Sequence, residues 1–480
     1  MKARELVVKF RPISGISCNS KTVGKGFIFV AVKGNKEDGN KFIQEAITRG
    51  AKVVVSDKAK SVKCLPVGQA GKAKSVRFIK IQNVRKFLGE LAAEFYGQPS
   101  KKIKVVGVTG TNGKTTVTYL LEAVLKKCGN HPAVVGTINY RFKDKVILAK
   151  NTTPGPVDLQ SMLNAMRQVK ADYCVMEVSS HALDQDRVEG INFHSAIFTN
   201  LTQDHLDYHK TMQKYFLAKA KLFRDLKSGS LAVLNNDDKF SRKLKNYTNA
   251  KVITYAIDSP ADVKAEDIRF YTGSTVFSCH YRGRKAEFKI NLIGKHNVYN
   301  VLAALAWSLK QGLTLKYLRD VLCDFKSVPG RLERVRAKRD FSIFVDYAHT
   351  EDALNNIIRS LREVSPSKII VVFGCGGDRD KSKRPKMGKV VTELADFAII
   401  TSDNPRSEDP MDIIRDIETG IYRDNYCVVP GRMNAIRQAL SLAQSGDVVL
   451  IAGKGHENYQ VLKNKTIHFD DREAVNECLR

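Results

Sequence analysis

No stretch of the 480 residues stays apolar over the length a bilayer-crossing helix needs, so no membrane insertion is expected. The opening, MKARELVVKFRPISG, carries charge but no apolar run of signal-peptide length, and the chain therefore reads as cytoplasmic. Nine cysteines are present without a CxxC pair, and the count is odd. That pattern excludes a disulfide framework and a cysteine-held zinc site, and fits reduced thiols. Acidic residues are the scarce charge: 50 Asp and Glu face 79 Lys and Arg, for a net +29. Residues 1–104 alone hold 23 basic against 7 acidic side chains. The lysines are dispersed and lack interleaved aromatic platforms, so no nucleic acid partner is expected. A basic balance instead suits solvated faces and ligands that carry phosphates or carboxylates. The length calls for two to four domains, and the 43% hydrophobic content can bury a sizeable core.

Short apolar runs alternate with helical patterns, which predicts parallel sheets in an α/β architecture. Strands are expected at residues 103–108, 173–178, 196–199, 343–346, 369–373, 397–401 and 448–452. Each runs into a polar turn: GTNGKTT, SSHALDQ, NLTQDHLDYH, YAHT, GCGGDRD, DNPR and GKGHE. Ligands of open parallel sheets bind at the carboxyl ends of the strands, so these clusters point to a shared cleft. YGQPSKK and SVPGRLE read as linkers, giving segments 1–100, 101–329 and 330–480. The Lys-, Ala- and Gly-rich tract 58–76 repeats KAKSV and reads as a surface insertion without assigned function.

The strongest local signal is VVGVTGTNGKTT, a buried strand, a Gly-rich turn and a helix opening at Lys114. Backbone N–H groups at a helix start favour phosphate, Lys114 adds a point charge, and Thr115 can hold Mg²⁺. The match to the general phosphate-loop pattern is imperfect, because Val108 stands where that pattern has Gly. Glu177 ends an apolar strand, where a carboxylate needs a cation: a metal, or an internal salt bridge. His205 follows another strand on the same expected sheet edge and reads as a further metal ligand. Lys219 falls inside the apolar stripe of Tyr215, Ala218, Leu222 and Phe223. Snorkelling is the ordinary account of such a lysine.

Taken together, GTNGKTT, NTTP, MEVSSHAL, TNLTQDHLDYH, AKAKLF, GKHNVYN, VPGRLE, VDYAHT, FGCGGDRDKSKRP, DNPRSEDP and GKGHENYQ resemble the Mur ligase family, from about Ser20 to Asp471. The resemblance implies three domains: an N-terminal one for a UDP-linked substrate, a central P-loop-type parallel-sheet ATPase, and a Rossmann-like C-terminal one. It implies ATP-dependent amide-bond formation through an acyl phosphate in peptidoglycan precursor synthesis. Gly110, Thr111, Asn112, Gly113, Lys114, Thr115 and Thr116 would bind the ATP phosphates, with Asn300 and Arg331 on the nucleotide. Thr115, Glu177, His205 and Lys219 would hold Mg²⁺, Lys219 as a lysine carbamate, which replaces snorkelling as its explanation. Asp346 and His349 would line the cleft from the third domain. Ser20, Asn151, Thr152, Thr153, Ser179, Gln185 and Arg187 match positions for UDP-MurNAc-L-Ala-D-Glu, although a surface salt bridge would also explain Arg187.

Arg379, Asp403, Asn404, Pro405, Arg406, Gly453 and Glu457 match the amino-acid site. An Arg in DNPR resembles members that add meso-diaminopimelate, whose distal carboxylate a guanidinium fork can hold, with Glu457 for the distal ammonium. Lysine-adding relatives lack that Arg. A monomer acting on these small molecules is expected. Asn19-Ser20-Lys21, Asn40, Glu351 and Gly431-Arg432 depart from the family pattern and bear chiefly on uridine binding. The competing readings are a sister ligase adding L-lysine or D-Ala-D-Ala, a folylpolyglutamate synthetase, a nucleic-acid-stimulated ATPase and an inactive scaffold. SSHALDQDR and DNPR argue against the first two. NTTP, DNPR and GKGHE have no role in the third, and the intact Lys114, Glu177, His205 and Lys219 oppose the last.

Overall fold

The computed structural model describes residues 1–34, 37–58, 76–271, 273–365 and 367–480. Almost all of the 58–76 tract lies outside the described residues. The chain divides into two compact units, Met1–Gly107 with Asn130–Ser195, and Val108–Gly129 with Ala196–Arg480.

The first unit carries a four-stranded, all-parallel sheet in the order Gly15–Ser17, Phe27–Val30, Ala51–Ser56, Arg77–Lys80. Alternate residues Ile28, Val30, Val53 and Val55 bury one face against Leu88 and Leu91 of the helix Val84–Phe95. Asn83 caps that helix through the Lys86 N–H at 3.0 Å. The same unit pairs Tyr173–Glu177 in parallel with Pro132–Val135. Antiparallel strands Asn139–Phe142 and Lys145–Leu148 continue from there.

In the second unit, which the chain re-enters at Ala196 within the strand Phe193–Phe198, strands follow in the order Leu231–Asn235, Lys251–Ala256, Val263–Tyr271, Ser274–Tyr281, Arg284–Ile290. Pairing is parallel from Leu231–Asn235 through Val263–Tyr271 and antiparallel beyond it. A second sheet has the order Glu333–Val335, Ser342–Asp346, Val448–Ala452, Ile369–Phe373, Phe397–Ile400, Tyr426–Val428. All its pairings are parallel except the first. Phe344, Val371 and Leu450 pack on one face with Leu354 and Ile358 of the helix Glu351–Val364. Ile343, Val372 and Ile451 pack on the other with Ile436 and Val475. Burial on both faces is why these strands read as unbroken apolar runs.

The expected strands are present, with ends that coincide or shift by one residue, except that the one expected at 196–199 begins three residues earlier, at Phe193. Arg432, one of the departures from the family pattern, is fully buried and forks onto Asp471 with two 2.7 Å bonds, and it also donates to the Ala452 carbonyl at 3.0 Å. Among the described residues no helix is long and apolar enough to cross a membrane.

Candidate active site

The strand Lys104–Thr109 delivers the chain into a loop that only glycine can make. Gly110 has φ +148°, and a Cβ there would lie 1.8 Å from the Thr199 Oγ1. Gly113 has φ +87°, and its Cβ would meet the Asn300 Oδ1 at 2.2 Å. The two glycines thus let Thr199 and Asn300 reach the loop backbone. Thr199 Oγ1 donates to the Asn112 carbonyl at 2.6 Å, and the Asn112 N–H donates to Asn200 Oδ1 at 2.9 Å. Gly113 then opens the helix Lys114–Lys127, with Thr115 and Thr116 buried in its first turn. Lys114 Nζ curls back to the carbonyls of Gly110 (3.0 Å) and Thr111 (2.8 Å). This leaves a cationic, N–H-rich helix start suited to phosphate.

Lys219, on the helix Met212–Arg224, is fully buried and does not snorkel. Its Nζ donates to the Gly110 carbonyl at 2.7 Å and lies 4.6 Å above the Tyr215 ring. Burial, reinforced by Lys114 and opposed by Asp204, holds its pKa far below that of an ordinary lysine. His205 adopts φ +55°, and its Nε2 lies 3.4 Å from the Asp204 carboxylate. Its ring meets Tyr215 edge-on at 6.2 Å. Burial raises the Asp204 pKa, but His205, His349 and Lys383 outweigh it and keep the carboxyl below its usual range.

The second sheet of the second unit supplies further expected groups. Arg331 Nη2 donates to Thr115 Oγ1 at 3.2 Å, and its guanidinium covers the Tyr347 ring at 4.7 Å. Asp346 accepts from the backbone N–H groups of Leu332 (2.5 Å) and Ala348 (2.6 Å). Burial pushes it up to about 6 against the pull of Arg331 and those donors. His349 is pulled down to about 4 by burial and by Lys383, so it is neutral at pH 7. Sequence reasoning missed Asp352, whose Oδ2 accepts from Asn112 Nδ2 at 2.9 Å and Thr202 Oγ1 at 3.1 Å.

Past the carboxyl ends of other strands of the same sheet, Arg406 Nη1 donates to the Gly377 carbonyl at 2.8 Å, and its N–H donates to the Val461 carbonyl at 3.0 Å. Asn404 follows the buried Asp403. Its Nδ2 donates to Glu457 Oε2 at 2.8 Å, while its Oδ1 accepts from the Val461 N–H at 2.8 Å. Gly453 lies against the Asp403 carboxylate. Burial, together with Asp403, raises the Glu457 pKa, and Lys454 and Asn404 oppose the rise. Pro405 is buried within the turn. Arg379 is exposed and turns back to the Asp378 carbonyl at 3.1 Å.

The first unit holds the other expected residues. Glu177 is buried, and its oxygens accept from the Thr137 N–H (2.8 Å) and hydroxyl (2.9 Å). Thr137, unnoticed in the sequence, also meets the Thr152 hydroxyl at 3.1 Å. Thr153 Oγ1 donates to the Glu177 carbonyl at 2.8 Å and accepts from the Ser179 N–H at 3.1 Å. Ser179 caps the short helix Ser180–Asp184. Arg187 forks onto Gln185 Oε1 at 2.7 and 3.1 Å and reaches the Thr153 carbonyl at 3.1 Å. Asn151 is tied at its carbonyl to the Tyr140 hydroxyl. Ser20, in the short helical turn Ser20–Thr22 after the strand Gly15–Ser17, donates to Glu45 at 2.7 Å.

Among the described residues no three His, Cys, Asp or Glu side chains converge as a metal-holding group. The expected Mg²⁺ set has one carboxylate and one imidazole; a hydroxyl and a modified lysine complete it. The carboxylate of Glu177 and the hydroxyl of Thr115 are hard oxygen donors of the kind such a cation takes.

A Gly-rich strand-to-helix loop, a lysine folded over it and a buried second lysine define a nucleotide-binding α/β protein of the phosphate-loop class. Family models agree on a narrower group. The Mur ligase middle domain matches residues 108–308, the Mur ligase glutamate ligase domain 330–455, and the Mur ligase family catalytic domain 12–96. The chain belongs to the Mur ligase family. It is 44% identical over 472 residues to the UDP-N-acetylmuramoyl-L-alanyl-D-glutamate–2,6-diaminopimelate ligase of Clostridium botulinum, covering 98% of this chain and 96% of that protein. Against the enzyme of the same name from Clostridium tetani the identity is 43%, over 97% and 95%. A solved structure bearing that name aligns at TM-score 0.69 and 33% identity over 98% of this chain and 95% of that one. The MurF ligase of Thermotoga maritima in complex with ADP shares the fold, at TM-score 0.66 and 22% identity, over 97% and 96%.

Proposed function

We propose that this chain joins meso-diaminopimelate to the D-Glu carboxylate of UDP-MurNAc-L-Ala-D-Glu at the expense of ATP, in cytoplasmic peptidoglycan precursor synthesis. The observation that carries this reading is Arg406, held at a loop tip beside Asn404 and Glu457, in a chain whose curated relatives are named for that reaction. A guanidinium fork suits the distal carboxylate that meso-diaminopimelate has and L-lysine lacks.

A carboxylate oxygen of D-Glu attacks the γ-phosphorus of ATP, and ADP departs, leaving an acyl phosphate. The amine of diaminopimelate then attacks the acyl carbon, the C–N bond forms, a proton is lost, and phosphate leaves. Phosphoryl transfer of this kind needs positioning and charge neutralisation above all. The loop Gly110–Thr116 with Lys114 would cradle the phosphates, while Asn300 and Arg331 would hold the nucleotide. Thr115, Glu177, His205 and Lys219 would hold Mg²⁺, which would neutralise oxygens on both anionic reactants.

Lys219 would serve there as its carbamate. A neutral amine is the form that attacks CO₂, and the burial of Lys219 favours that form. Asp346 and His349 would line the cleft. Ser20, Asn151, Thr152, Thr153, Ser179, Gln185 and Arg187 would bind the UDP-linked substrate. Arg379, Asp403, Asn404, Pro405, Arg406, Gly453 and Glu457 would bind diaminopimelate. The working species would be a monomer of three domains, 1–100, 101–329 and 330–480.

The test is phosphate release with ATP, Mg²⁺ and UDP-MurNAc-L-Ala-D-Glu, comparing meso-diaminopimelate, L-lysine and no amino acid. Turnover with diaminopimelate alone is expected. Turnover with lysine would keep the ligase and overturn the role of Arg406.

A further inference from the structure

Behind the Arg406 turn sits a buried cation that the reaction itself does not use. Arg384, on the helix Lys383–Leu394, has a side chain with no solvent exposure. Its Nη1 donates to Glu408 Oε2 at 2.9 Å and to Asp416 at 2.8 Å; its Nη2 donates to Glu408 Oε1 at 2.9 Å and to the Gly376 carbonyl at 3.4 Å.

Glu408 closes the same loop pair from the other side. Its Oε1 also accepts from the Asp378 N–H at 2.6 Å, and Lys381 lies 3.3 Å from its Oε2. Asp378 in turn accepts from the Ser407 hydroxyl at 2.6 Å and the Ser407 N–H at 3.3 Å. Both oxygens of Glu408 are therefore engaged, and Arg384 holds Glu408 below its usual range, at about 2. Residues 376–378 and 406–408 are thereby stitched into one unit. Arg406 sits in it with φ +53°, a left-handed conformation that a residue with a Cβ keeps only when its surroundings enforce it.

We propose that the Arg384–Glu408 pair is the positioning element for amino-acid recognition: it fixes the turn that carries Arg406 and so sets where the guanidinium fork meets the distal carboxylate of the incoming amino acid. The proposal rests on the reading that Arg406 binds that carboxylate. Neither Arg384 nor Glu408 touches the ligand; they act through Arg406. A bidentate contact tolerates little displacement, so a slackened turn loses amino-acid affinity and leaves the nucleotide loop untouched.

The experiment is a double-mutant cycle on the full chain with Glu408→Gln, Arg406→Ala and the pair, reading KM for meso-diaminopimelate, KM for ATP, kcat and the melting temperature. Glu408→Gln keeps an acceptor for the Asp378 N–H and removes the charge opposite Arg384. It should raise KM for diaminopimelate about tenfold, with KM for ATP and kcat within about twofold. In the Arg406→Ala background the same change should leave KM for diaminopimelate unaltered. Arg384→Lys, which keeps the charge and loses the fork, should fall between wild type and Glu408→Gln.

If Glu408→Gln raises both KM values together, leaves KM for diaminopimelate unchanged, or adds its full effect on top of Arg406→Ala, the pair is only structural and the proposal is wrong. If Arg406→Ala itself leaves KM for diaminopimelate unchanged, the underlying reading of Arg406 has failed instead.

Discussion

Gly113 offers the sharpest test of how the nucleotide loop is built. In Gly113→Ala the new Cβ would stand 2.2 Å from Asn300 Oδ1, whereas ordinary contacts begin at 3.4 Å, so Asn300 must retreat by more than an ångström. That retreat strains the 3.1 Å bond from Asn300 Nδ2 to Asn297 Oδ1, worth roughly 1 kcal/mol. The left-handed backbone at φ +87° adds roughly 1–2 kcal/mol for any residue with a Cβ. The same helix provides a control. Gly129, just past its C-terminal end, has φ +75° and open space around a Cβ, so Gly129→Ala carries the backbone cost without the clash. By thermal denaturation, Gly129→Ala should lose roughly 1 kcal/mol and Gly113→Ala roughly 2–3 kcal/mol. In the steady-state assay KM for ATP should rise about tenfold for Gly113→Ala alone, since a factor of ten corresponds to about 1.4 kcal/mol of binding. Equal stability losses with an unchanged KM for ATP in both variants would refute the assignment of Asn300 to the nucleotide.

Three further outcomes follow from the site. Lys219→Arg places a permanently charged group that cannot form a carbamate; kcat should fall at least about a hundredfold, and the ¹³C resonance gained by the wild type under labelled CO₂ should be absent. Thr137→Val removes the hydroxyl donor to Glu177 at a cost of roughly 1–2 kcal/mol; the Mg²⁺ concentration for half-maximal rate should rise, and an unchanged value would separate Glu177 from the metal. His296 is half-buried, and its burial pulls it down to about 4. The unfolded chain then binds the extra proton between pH 6.5 and 4, so this group's stabilisation is complete above pH 6.5 and fades as pH falls. At pH 5 the loss is about 2 kcal/mol, and His296→Gln should lose correspondingly less stability than the wild type between pH 7 and 5 in urea titrations.

Much of this architecture is written in short sequence windows. Ile369–Phe373 and Val448–Ala452 are buried at every residue, and double-sided burial makes apolar runs that the eye finds at once. Lys219 was visible as a cation in an apolar stripe, although the stripe alone favoured snorkelling and the burial rules it out. Other features depend on residues far apart in the chain and leave no local trace. Asn300 looks like any polar residue in a helix until Gly113 is placed against it. Asp352 reaches Asn112 across 240 positions, and Arg384 finds Glu408 and Asp416 through a loop pairing that no periodicity encodes. Thr137 is likewise silent, because its partner Glu177 lies 40 residues on. Arg432 stood out only as a break in a familiar pattern; its counter-ion, Asp471, lies 39 residues downstream.

That last pairing bears on how the protein is made. Val448–Ala452 lies between Ser342–Asp346 and Ile369–Phe373, so the C-terminal sheet stays split until residue 452 has left the ribosome. Even then Arg432 carries a guanidinium destined for a fully buried place, with its counter-charge, Asp471, still to emerge. Burying an unpaired charge is costly enough to hold the region open. The nascent chain thus keeps this sheet unfinished until the helix Asp471–Cys478 emerges, and a chain that stops short of Asp471 has no counter-charge with which to close it.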